Sequence, residues 1–138
     1  MNESTEKNIP EFKISVRNIV EFILKWGDIN NIGMQNPPDL LEGTRIHRKI
    51  QKKEEKTGRY TSEVRLSERV CYTNFYLTVQ GIADGIISDE IITVDEIKST
   101  TMPIEFIDEE FSKLHRAQAM CYAYIYAKQN DIREISTR

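Results

Sequence analysis

Apolar residues give the first part of the chain a helical rhythm. Val16, Ile19, Val20, Ile23 and Leu24 occupy the i, i+3, i+4, i+7 and i+8 positions of a helix with one buried face. Ser15 stands where an N-cap belongs and Gly27 where a helix ends, which predicts a helix over residues 15–25. Residues 1–13 are polar and mixed in charge and predict a flexible arm. Gly33, Pro37 and Pro38 make residues 30–39 a loop, after which Asp39 is placed to cap a second helix running to about Lys56. The rhythm then changes. Residues 60–70 and 72–87 have strand character and predict a long hairpin, and residues 91–98 predict a third strand. Residues 99–108, with Pro103, form a connection to a helix from about Ser112 to Gln129, and Ile132 to Ser136 begins a further strand. The order α-α-β-β-β-α-β in 138 residues predicts one α/β domain over residues 14–138.

Three polar residues interrupt the two apolar strand runs. Asp84 sits within Val79 to Ile87, and Glu96 and Lys98 close the run that begins at Ile91. Strand side chains alternate, so Glu96 and Lys98 face one side. With residues 88–90 as the turn, Ile87 pairs with Ile91, Asp84 lies opposite Val94, and Glu96 is the diagonal neighbour of Asp84. Diagonal pairs are about 7–8 Å apart, close enough to share a divalent cation. Paired carboxylates are hard oxygen ligands that suit Mg²⁺ or Mn²⁺. A solvated hairpin face is the plainer alternative, but Ile82, Ile86, Ile92 and Val94 share the parity of the two carboxylates and are apolar. Carboxylates around a cation with a lysine beside them are the equipment for phosphodiester hydrolysis.

Composition narrows the setting. Hydrophobic residues make up 39% and charged residues 30%, as in a soluble globular protein, and no apolar run reaches the roughly 20 residues of a membrane helix. The first residues do not read as a signal peptide. Cys71 and Cys121 are far apart without metal spacing, and a reduced, cytoplasmic protein is the simplest reading. A net charge of −3 excludes electrostatic nucleic-acid binding by the whole surface and leaves it to a local patch. Arg45, Arg48, Lys49, Lys52 and Lys53 on the second helix form that patch, diluted by Glu54 and Glu55. His47 shares a helix face with Leu40, Gly43 and Ile50, where a histidine is ordinarily a satisfied core residue but is also able to ligate metal. Gln118 and Tyr122, one helical turn apart, point from nearly the same stripe as Leu114, Ala117, Cys121 and Ile125. His115 has no assigned role.

Taken in order, Gly43-Thr44-Arg45-Ile46-His47, Gly81-Ile82-Ala83-Asp84, Glu96-Ile97-Lys98 and Gln118-Ala119-Met120-Cys121-Tyr122 resemble the four motifs of the RecB-like branch of the PD-(D/E)XK nuclease superfamily. Ala83 stands where the superfamily has its proline. The resemblance implies a restriction-endonuclease-like core, a central mixed sheet flanked by helices, and a Mg²⁺- or Mn²⁺-dependent deoxyribonuclease. It implies Asp84, Glu96, His47 and the main-chain carbonyl of Ile97 as metal ligands, and Lys98 as the group that orients the attacking water. Gln118 and Tyr122 would brace the site or the DNA strand, and Glu63 is a further acidic candidate. Two cysteines are too few for the iron–sulfur cluster of some members, so none is expected.

Ile14-Ser15-Val16-Arg17, Arg45-Ile46-His47-Arg48 and Ala123 to Gln129 are most similar to the nuclease domain fused ahead of bacterial XPD/DinG-type helicases. That similarity implies DNA and a C-terminal helicase domain of the same chain as partners, and a role in DNA repair. The last strand is expected to be cut short at Arg138, leaving a sheet edge through which the chain would pair as a homodimer. The rival expectation is a catalytically silent module with the same fold that binds nucleic acid or docks a helicase.

Overall fold

The structure, a computed structural model, describes residues 8–25, 40–100 and 103–138. The proposed stop at Gly27, the loop over residues 30–39, the Asp39 cap and the first seven residues of the arm lie outside them. The elements run β1 (Glu11–Ser15), α1 (Val16–Lys25), α2 (Leu40–Glu55), β2 (Tyr60–Cys71), β3 (Tyr76–Ile87), β4 (Ile92–Asp95), α3 (Glu109–Asn130) and β5 (Ile135–Thr137), with one 3-10 turn at Ile104–Phe106. The five strands form one mixed sheet flanked by the three helices. None of the described helices is long and apolar enough to cross a membrane.

β3 is the strand on which the sheet is built. β2 runs antiparallel along one edge of it, from Tyr60↔Ile87 to Cys71↔Tyr76, as the hairpin pattern predicts. Its other edge is divided. β1 takes the first part in parallel, Glu11↔Tyr76 to Ser15↔Gln80, and β4 takes the last part antiparallel, Gly85↔Asp95 to Ile87↔Thr93. β5 adds in parallel to β4, Ile92↔Ile135 to Val94↔Thr137. The core lies between this sheet and α1 and α3: Val16, Val20, Leu66, Ala83, Ile86, Val94, Tyr122, Ala123 and Ile125 are all buried. α2 packs separately on β2 and β3.

Four local expectations change. Glu11, Phe12 and Lys13 belong to β1 and not to an arm, because Phe12 packs edge-on to Phe75 and Thr78 donates a 2.8 Å hydrogen bond to Glu11. The β3–β4 register is shifted by two residues: Ile86, not Asp84, pairs with Val94. An even shift alone reverses no face, but β3 also changes phase at Asp84, so Ile86 packs in one core with Ala83. β4 ends at Asp95, three residues early, because the next two amides find other partners. Glu96 N–H donates to the Arg138 carbonyl at 3.1 Å and Ile97 N–H to the Asp84 carboxylate at 2.7 Å. α3 begins before Ser112, because the Asp108 carboxylate accepts from Phe111 N–H at 2.8 Å and caps it. The Ser15 cap of α1 is as expected, its hydroxyl accepting from Asn18 N–H at 3.1 Å. Only the first turns of α1 are covered, however: Val16 and Val20 are buried while Ile23 and Leu24 are exposed.

A buried polar cluster ties β4 to the rest. The Tyr60 hydroxyl donates to Asp95 Oδ2 at 2.9 Å, and Arg138 reaches both Asp95 oxygens at 3.0 and 3.1 Å while lying 3.4 Å from Glu54 of α2. Burial and the neighbouring Asp95 raise the Tyr60 phenol above its ordinary value, so it stays a donor. Tyr60 lies against Gly85, where a Cβ would come within 2.0 Å of the ring. Gly85→Ala should therefore push Tyr60 off Asp95 and lower stability by about 1–3 kcal/mol in urea titration, the ordinary cost of overpacking. An unchanged unfolding midpoint would show that this contact carries no strain.

Candidate functional site

β1 and β4 both point their carboxyl ends at the same stretch of β3. β1 finishes opposite Gln80 and β4 opposite Gly85, so residues 81–84 are left unclaimed on that edge. These four residues are Gly81-Ile82-Ala83-Asp84. On the opposite edge, the β2 pairing skips one position, Glu63 with Asp84, although the register is the same on both sides of it. Asp84 is thus the single residue of β3 without a ladder partner in either direction. Glu63 accounts for the second gap, since its φ of 52° puts a non-glycine residue in the left-handed region, at a cost of about 1–3 kcal/mol. The facing of β3 also changes phase here. Ala83 and Ile86 pack into the same core, although residues three apart on a regular strand face opposite sides.

Side chains take up the groups that the ladder leaves. Asp84 Oδ2 accepts from Ile97 N–H, its Oδ1 lies 3.5 Å from His47 Nδ1, and its main-chain carbonyl accepts from Gln51 Nε2 at 2.9 Å. His47 and Gln51 are one turn apart on α2, so a single helix face reaches both the carboxylate and the backbone of Asp84. Tyr122 of α3 sits directly against Gly81, where a Cβ would lie 2.5 Å from the phenol oxygen. Burial raises the Tyr122 phenol above its ordinary value, and Gln118 and the Ile82 main chain lie near enough to oppose that shift. The glycine of the second motif and the tyrosine of the fourth are therefore one contact. Tyr122, 4% exposed, props β3 from inside the fold and does not offer its ring to a DNA strand.

Glu96 follows β4 and points into the same place. Its Oε1 holds Lys98 Nζ at 2.7 Å, and its Oε2 is buried without a hydrogen-bond partner. Burial raises both carboxyls. Glu96 is pushed up to about 6, chiefly by desolvation, against the attraction of Lys98 and with added repulsion from Asp84 and Asp95. Asp84 is raised by desolvation, opposed by Ile97 N–H, His47 and Lys98. Two poorly solvated carboxylates that repel each other, one with a bare oxygen, make a donor set that fits a hard divalent cation. The His47 imidazole and the Ile97 carbonyl are the further groups that would hold it. Among the described residues no three His, Cys, Asp or Glu side chains are grouped closely enough to hold a metal ion, so His47, Asp84 and Glu96 do not form a ready three-ligand set and main chain and water would have to complete the coordination.

The structure brings His47, Asp84, Glu96, Ile97, Lys98, Gln118 and Tyr122 to one region, in direct contacts that link them pairwise. Arg45, Arg48, Lys49 and Lys52 line one exposed groove with Leu41 and Thr44 on α2; Lys53 is exposed away from it. Glu63 is exposed and acts through its backbone. Sequence reasoning missed Gln51, although its place one turn after His47 is a usable signal. It also left out His115, one turn before Gln118, which stacks edge-on to Phe111. Burial, with Lys98 and Arg17 nearby, lowers His115 to about 4, so it is neutral at physiological pH.

No protein-family model matches the chain, and no curated protein matches it in sequence. The crystal structure of SSO0001 shares its fold, with a TM-score of 0.59 and 18% identity over 83% of this chain. The match spans 56% of that chain, so this one covers little more than half of its length. The likeness is one of fold, a mixed five-strand sheet flanked by helices consistent with a restriction-endonuclease-like core.

Folding raises the Glu96 carboxyl from 4.5 to about 6, so the native state holds this proton more tightly than the unfolded chain does. The resulting stability is fully present below the unfolded value and is lost as pH rises through the folded one. In metal-free buffer Glu96→Gln should change little near pH 4 and stabilise the protein by about 2 kcal/mol near pH 7.5. Urea titrations of both proteins at the two pH values check this. Equal stability at the higher pH would mean that Glu96 is not held against its ionised form.

Proposed function

We propose that this domain is a metal-dependent deoxyribonuclease that hydrolyses phosphodiester bonds. The observation that carries the reading is the bare, buried Glu96 Oε2 beside Asp84, with Lys98 fixed on the other oxygen of the same carboxylate. A buried carboxylate oxygen without a donor is costly, and a site that binds a cation gives that cost a purpose. A divalent ion, when bound, supplies a Lewis acid that activates water and neutralises charge on the phosphate. The protein's own groups do the rest. Asp84 and Glu96 hold their carboxylates on one side of the sheet gap. Lys98, partly exposed, is directed by Glu96 to where it orients a water and meets the negative phosphate. The His47 imidazole would add a nitrogen donor from α2, and the α2 groove would take the phosphates flanking the scissile bond. By its resemblance to nuclease domains ahead of XPD/DinG-type helicases, the domain would work beside a helicase in the same chain.

The direct test is incubation of labelled single- and double-stranded DNA with the protein in Mg²⁺, Mn²⁺ or EDTA. Cleavage is expected with either metal and none with EDTA. Asp84→Ala should reduce the rate by at least about 10³-fold, a barrier increase of about 4 kcal/mol. Lys98→Met should do the same while leaving Mn²⁺ affinity within about 3-fold, since its ammonium serves the water and the phosphate and is no ligand. Wild-type rates in a purified Asp84→Ala protein would reject the reading.

DNA binding should weaken steeply with salt if the α2 groove takes the phosphates, because each contact releases counterions. Lys49→Glu and Lys52→Glu should each weaken binding more than Lys53→Glu, which lies off the groove. Fluorescence anisotropy at several salt concentrations reads this. Equal effects at all three positions would place the DNA path elsewhere.

A further inference from the structure

We propose that Gln51 is a positioning residue: its side-chain amide replaces the missing ladder partner of Asp84 and so sets the Asp84 carboxylate against Glu96. The inference rests on the reading of that pair as a cation site. Three observations carry it. Asp84 is the one residue of β3 without a register partner on either edge, so no ladder pair holds it directly. Gln51 is only 6% exposed, and its Nε2 donates to the Asp84 carbonyl at 2.9 Å. The gap itself is maintained at a cost, by a left-handed Glu63 with φ of 52° on the facing strand.

Backbone orientation and side-chain direction are coupled. A rotation of the Asp84 peptide would swing its carboxylate away from Ile97 N–H, which it holds at 2.7 Å, and away from Glu96. An ordinary ladder bond would prevent that rotation but would also hold Asp84 in the regular pleat. The side-chain amide anchors the carbonyl while leaving the strand free to change phase at this point. Gln51 would never touch the cation or the DNA. It would act through Asp84, as groups behind a metal ligand commonly do. A buried amide that merely fills space predicts something different: lost stability on substitution, with a site that works unchanged in whatever protein remains folded.

The test compares the wild type with Gln51→Met, which keeps length and burial but has no donor. Mn²⁺ affinity is measured by calorimetry, thermal stability by circular dichroism, and the Ile97 amide by NMR in metal-free protein. The expected result is a loss of about tenfold or more in Mn²⁺ affinity. Cleavage should recover at saturating Mn²⁺, and the Ile97 amide resonance should shift as its bond to Asp84 loosens. If Gln51→Met does not fold, Gln51→Glu, which has the same length and no donor when ionised, takes its place with the same readouts. Unchanged Mn²⁺ affinity together with an unchanged Ile97 resonance would overturn the inference, whatever happens to stability. If the wild type binds no Mn²⁺, the nuclease reading fails, and the Ile97 resonance alone still decides whether Gln51 positions Asp84.

Discussion

The interruption of the β-ladder at Asp84 is the constraint on which the rest of the structure depends. A central strand normally has every peptide group fixed from both sides, and an acidic side chain there would be buried or turned to solvent by strict alternation. Here β1 and β4 approach the same edge of β3 from opposite ends and stop short of each other, while Glu63 withdraws from the other edge. Residues 81–83 keep only their β2 partners, and Asp84 is freed from the ladder on both edges yet surrounded by packed structure. A carboxylate can then be poorly hydrated, held by an amide hydrogen bond and still reachable, which a regular strand does not permit.

Each helix contributes to keeping the gap open and ordered. α3 presses Tyr122 onto Gly81, close to Ile82, so the start of the gap is propped from the core side. α2 supplies His47 and Gln51 at its end, on the Asp84 carboxylate and carbonyl. α1 begins at Ser15, where β1 stops. The Tyr60, Asp95 and Arg138 cluster fixes the end of β4, the point from which Glu96 and Lys98 depart. The polar groups of this region form two sets. One is fully satisfied and structural, around Asp95; the other, around Glu96, keeps a bare oxygen. That difference between adjacent residues of one segment is the observation behind the proposed role of Glu96.

Much of this was legible in the sequence, and the reasons are physical. The 3.6-residue apolar stripe marked α1 and α3, and strand-like composition marked the β2–β3 hairpin, because those segments pack against the core. Parity singled out Asp84, Glu96 and Lys98 as a set, but it does not fix their faces, because β3 changes phase at Asp84 and β4 ends at Asp95, before Glu96 and Lys98. The length of the β3–β4 turn was not legible, since residues 88–91 carry no turn signature that fixes it. β1 was hidden because three of its five residues are polar or charged, and its partner residues lie 65 positions further along the chain. The left-handed Glu63 has no signature in its residue type, and Gln51 reads as one polar residue among many on a basic helix. Asp95, which carries no distinguishing signal in the sequence, is the anchor of a separate buried cluster, a role set by Tyr60 and Arg138 from distant segments.

The central claim is that Asp84 and Glu96, at the break in the ladder, are held apart from the Asp95 cluster to bind a divalent cation. A crystal of the protein soaked in Mn²⁺, with anomalous diffraction recorded at the manganese edge, tests it most directly. The account predicts one strong peak within coordination distance of Glu96 Oε2 and the Asp84 carboxylate, with His47 and the Ile97 carbonyl at its margin. A strong peak elsewhere with none at this position, or Glu96 Oε2 turned away to a protein donor while Mn²⁺ is present, would contradict it.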